Sequence, residues 1–84
     1  MITTQRETFY ARGITVDVDV PVRATYTDGE LLSSEYTDAS WPAIDSAICA
    51  TLDRLGRTGQ AIFRPSEGGD DMVYLQACGK WGRA

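Results

Sequence analysis

The stretch SWPAIDSAICATLDRLG, Ser40 to Gly56, decides the fold. Ser40 or Trp41 is placed to cap a helix, and Pro42 stands in the first turn, where a proline loses no hydrogen bond. Asp45 lies toward the positive end of the helix, with Arg54 and Arg57 near the negative end, where Gly56 turns the chain. At about 100° per residue, Ile44, Ile48, Leu52 and Leu55 fall within an arc of about 80°, with Ala47 and Thr51 on its flank. The spacing predicts one amphipathic helix over residues 41–55. Its apolar stripe requires a surface to lie on, and the flanking segments alternate with period two, as an antiparallel sheet does.

Upstream, Ile14, Val16, Val18, Val20, Val22, Ala24 and Tyr26 share one parity, while Thr15, Asp17, Asp19, Arg23 and Thr25 take the other. This is a half-buried strand, wet on one side, and Pro21 implies a bend or an edge there. At the Asp28-Gly29 turn, a two-residue loop would pair Val22 with Glu35 and turn that acid toward the core. A three-residue loop, pairing Ala24 with Leu32 and Val20 with Tyr36, keeps Glu35 wet and is expected for that reason. The following strand then spans roughly residues 30–36. Residues 4–12 satisfy a capping box at Thr4 to Glu7 and also an edge strand; the strand is the reading adopted, with a short helix as the alternative.

Downstream, a strand over 60–64 and a return over 72–78 flank the Pro65 to Asp71 loop. Pairing Arg64 with Met72 places Ala61, Phe63, Val73, Leu75 and Ala77 on one face. Ile62, Met72, Tyr74 and Cys78 then form an apolar outer face, with Trp81 just beyond. Either the N-terminal segment with Phe9 and Tyr10 folds over that patch, or it is an interface. The element order is (β)ββαββ in a single domain over 1–84. The fold class is α+β, a small two-layer sandwich with an antiparallel sheet of four or five strands against the helix.

The 84 residues carry 8 basic and 12 acidic side chains, a net charge of −4, which argues against gripping a nucleic-acid backbone. Cys49 and Cys78 fit no zinc or redox spacing, and the first residues lack the basic start and apolar run of a signal peptide. No apolar run approaches the ~18 residues of a membrane span. A cytoplasmic chain without membrane contact is expected. Histidine is absent altogether, which removes Ser-His and Cys-His nucleophilic catalysis. Gly56-Arg57-Thr58-Gly59 matches the spacing of a backbone-clamping loop but precedes a strand, so a helix cap and a turn explain it. Gly68-Gly69-Asp70-Asp71 lacks the alternating ligands of a calcium loop.

One catalytic option remains: Asp17 and Asp19, about 6.5 to 7 Å apart on one strand face, with Glu35 on the neighbouring strand, as a carboxylate-metal nuclease. The solvated face of a strand explains the same acids. No cofactor is expected. The residues favoured for partner binding are Asp17, Asp19, Glu35, Asp70 and Asp71 on the acidic side, with Ile62, Met72, Tyr74 and Trp81 on the apolar side. In format, a short, acidic, arginine-biased α+β chain, the protein resembles the accessory proteins of phages and mobile elements, anti-CRISPR inhibitors among them. That resemblance implies a non-enzymatic module that blocks a host protein or complex by occlusion. The alternative is a self-associating structural subunit, a homodimer through the outer face of the 60–78 hairpin.

Overall fold

The computed structural model describes all residues from Met1 to Ala84. The elements are β1 (Ile2–Ala11), β2 (Ile14–Thr27), β3 (Glu30–Tyr36), α1 (Ser40–Arg54), β4 (Gln60–Pro65), β5 (Met72–Ala77) and β6 (Lys80–Arg83). They form one helix and a six-stranded antiparallel sheet in the order β3-β2-β1-β4-β5-β6. The α+β class holds; the count of four or five strands and the two-layer sandwich do not. Both chain ends pair into the sheet, and the sheet curls, so that the helix touches β2 on one side and β6 on the other.

Residues 2–11 are strand because β2 offers them a full ladder, from Ile2 opposite Arg23 to Ala11 opposite Ile14. A short isolated helix has no such partner, since its nucleation cost is repaid only over many residues. The core follows the alternation of β2: Ile14, Val16, Val18, Val20 and Val22 pack with Phe9 of β1, Ile44, Ile48 and Leu52 of α1, and Ala61, Phe63, Met72 and Tyr74 of the last hairpin. Leu55, expected in the helical stripe, is exposed at the helix end. There Gly56 takes φ 66°, its N–H donating to Asp53 O and that of Arg57 to Leu52 O. The doubled bond closes the helix and swings Leu55 outward.

The β2–β3 connection corrects the sequence-based register. Asp28 and Gly29, at φ 52° and 80°, make a two-residue turn with Thr27 opposite Glu30. Both left-handed positions match the twist of the strands, and an L-residue other than glycine, asparagine or aspartate is costly there. The exposure of Glu35 to the core is avoided by a β-bulge instead of a longer loop. Tyr26 faces Leu31 but Thr25 faces Ser33, so Leu32 is the extra residue, and Arg23 ends opposite Glu35 with Val22 opposite Tyr36. Pro21 is tolerated inside the sheet because β3 has already ended opposite Val22. Its carbonyl accepts a hydrogen bond from the Ser40 hydroxyl, which itself accepts one from Thr37 N–H at 2.8 Å. Ser40 is therefore no helix cap; it ties the helix start to β2.

The last hairpin is shifted by one residue from the expected pairing: Phe63, not Arg64, lies opposite Met72, and Ala61 lies opposite Tyr74. A shift of one turns every β5 side chain to the opposite face, while β4 keeps Ala61 and Phe63 inward and Ile62 outward. Met72 and Tyr74 are core residues, while Ile62, Val73 and Leu75 face outward. The N-terminal segment does not fold over that face. It joins β4 edge to edge, Phe9 opposite Pro65 and Tyr10 opposite Arg64, and sends Phe9 inward. No helix is long and apolar enough to cross a membrane.

Candidate functional site

The molecule measures 48 × 22 × 20 Å. Its long axis matches the length of the 14-residue β2, about 46 Å at 3.3 Å per residue. Since α1 begins beside Pro21, the far third of β2 and the part of β3 before Tyr36 project beyond the helix as an arm. Every residue of β3 is exposed, Leu31 at 55% and Leu32 at 68%; Ile2 is exposed on the face of the sheet opposite Leu31, and Met1 and Tyr26 on the same face as Leu31. Met1 is held there by backbone hydrogen bonds to Ala24. β3 is also a sheet edge, so one side of its backbone pairs with nothing.

On the convex face the expected acidic residues are present but separate. Asp17 accepts the Thr8 hydroxyl at 2.7 Å, Asp19 faces Arg6 at 3.2 Å, and Glu35 faces Arg23 at 3.6 Å. Glu35 is level with Arg23, four residues along β2 from Asp19, about 13 Å away. The proposed metal triad is thus dispersed, and no three His, Cys, Asp or Glu residues group closely enough to hold a metal ion. The cysteines are both free. Of the expected apolar patch only Ile62 and Cys78 face solvent, Ile62 beside Val73 and Leu75, whereas Trp81 packs half-buried against the core opposite Gln76.

A groove of about 870 Å³ opens at the mouth of the curled sheet, beside the start of α1. Tyr36, Trp41, Glu7, Glu67, Asp70 and Arg83 line it. Trp41 is its centre: the Tyr36 ring meets it edge-on at 5.3 Å, and the Arg83 guanidinium carbon lies 4.1 Å from its ring centroid. Arg83 also faces Asp45 at 4.0 Å, and Asp45 accepts the Tyr74 hydroxyl at 2.7 Å. Burial, aided by that hydrogen bond, pushes the Tyr74 phenol well above its ordinary value. The Tyr36 hydroxyl donates to Glu7 at 2.5 Å, and its phenol is also raised, first by burial, then by Glu7 and Glu67.

Of the residues singled out from sequence, Asp70 and Asp71 line this groove, and Asp71 is occupied by Arg64 at 2.9 Å. Met72 also borders it, from within the core. Glu7, Tyr36, Trp41 and Arg83 were not foreseen. Trp41 lies within the first turn of α1, which Ala39 caps, and no local pattern links it to Arg83, 42 positions on. Comparison of the chain with protein-family models, curated proteins and solved structures finds no match to any of them.

Proposed function

We propose that this chain is a non-enzymatic protein-binding module. The observation that carries this reading is the arm: Met1, Tyr26, Leu31 and Leu32 are exposed on a projection beyond the helix. A small chain with 15 of 84 residues buried has little apolar surface to spare, and leaving this much uncovered is explained by a partner that covers it. The chemistry available in the sequence agrees, since without imidazole the chain offers shape and charge more than reactive groups. The narrower form, an inhibitor of a host defence complex of the anti-CRISPR kind, rests on format alone and supplies the first baits to try. The test is retention of a protein partner by the wild type and its loss in the double variant Leu31→Ser and Leu32→Ser. Both side chains are solvent-exposed, so circular dichroism should be unchanged. Equal retention by a folded variant would refute the arm as the contact.

Self-association is a second reading, favoured by the unpaired edge of β3 and by the bare Ile62, Val73 and Leu75 cluster. Sedimentation showing only monomer at high protein concentration would remove it.

A further inference from the structure

We propose that the groove at the mouth of the sheet receives a basic side chain, arginine or lysine, from a partner protein, seated against Tyr36 and Trp41 between Glu7 and the Glu67–Asp70 loop. This deepens the protein-binding reading and rests on it. The charge of the groove is one-sided: Glu7, Glu67, Asp70 and Asp71 line it, against Arg83 as its one basic residue. Arg83 is already turned to Asp45, and Asp71 to Arg64. Glu7, Glu67 and Asp70 have no cation in contact, and Glu7 accepts only the neutral Tyr36 hydroxyl.

The groove also shows that its aromatic wall accepts a cation. Arg83 lies over the Trp41 ring, where the electron-rich face attracts a guanidinium, and the Tyr36 ring packs perpendicular to the indole. Carboxylates beside an aromatic wall discriminate for a cation in two ways, by charge and by stacking. They repel phosphate and carboxylate ligands equally well. Among cations, a side chain on a peptide fits better than a free metal ion, because no three ligands converge.

Glu67 and Asp70 form no hydrogen bond or ion pair, so both can be neutralised without touching the fold. The experiment is an NMR titration of the isotopically labelled chain with the blocked peptide Gly-Arg-Gly-Arg-Gly, and with its glutamate counterpart as control. The arginine peptide should shift the Trp41 indole N–H and the amides of residues 67–71 saturably, leave the Trp81 indole unmoved, and weaken as salt rises. The double variant Glu67→Gln and Asp70→Asn should bind about fivefold more weakly, the loss of two exposed ion pairs. Shifts confined to the convex face, equal binding of the glutamate peptide, or an undiminished affinity in the variant would overturn the proposal. A silent groove in a chain that still holds its partner through the arm would overturn the proposal alone and leave the protein-binding reading standing.

Discussion

Truncating Met72 and Leu75 separately to alanine measures the register of the last hairpin directly. Met72 is 7% exposed and belongs to the core, whereas Leu75, three residues on, is 45% exposed on the outer face. Full burial of such a side chain contributes about 1.5 to 3 kcal/mol, so the half-buried Leu75 contributes about 1 kcal/mol and leaves no cavity. Met72→Ala loses the transfer term and opens a void in the core beside Phe63, at a cost of about 3 kcal/mol. For a chain of this size 1 kcal/mol shifts Tm by roughly 4 to 8 °C, so Met72→Ala should melt about 15 °C below wild type and Leu75→Ala about 5 °C below. Urea unfolding followed by tryptophan emission should give the same order with an unchanged slope. If Leu75→Ala is the more damaging, the hairpin pairs Arg64 with Met72 after all.

Ser40→Ala should destabilise by about 1 to 3 kcal/mol although Ser40 caps nothing, because it strands the Pro21 carbonyl and the Thr37 N–H; a chemical denaturation curve reads it, and a neutral outcome would show that water replaces the hydroxyl. Alkaline pH should unfold the chain. Tyr36 and Tyr74 have phenols raised above the ordinary 10.0, so the stability they contribute is complete below pH 10 and declines as pH rises above it. Tyrosinate absorbance tracked beside circular dichroism should show the Tyr74 phenol ionising with loss of structure. Ionisation of all four tyrosines in a folded chain would contradict the burial of Tyr74.

Glu7 and Tyr36 show how a site escapes notice in sequence. Glu7 sits in a strand that also reads as a capping box, and Tyr36 ends a strand with no apolar face of its own, yet the curl of the sheet brings them within a hydrogen bond across β2. Nothing in their spacing, 29 positions apart, encodes that contact. Asp17 and Asp19 illustrate the opposite: their place on a wet strand face was legible, and the structure adds only the partners that satisfy them, Thr8 and Arg6.

By itself the sequence determined the helix and the long strand beside it. Ile44, Ile48 and Leu52 repeat at the helical period, and Ile14 to Val22 alternate without exception, so each pattern admits one buried face. The tertiary structure decided everything that depended on register. In the 60–78 hairpin, Ile62, Val73 and Leu75 on one face are nearly as apolar as Phe63, Met72 and Tyr74 on the other, so alternation could not choose between them. At Asp28-Gly29, turn geometry and the solvation of Glu35 made opposite demands. One inserted residue at Leu32 met both, a solution that exists only when two strands are laid side by side.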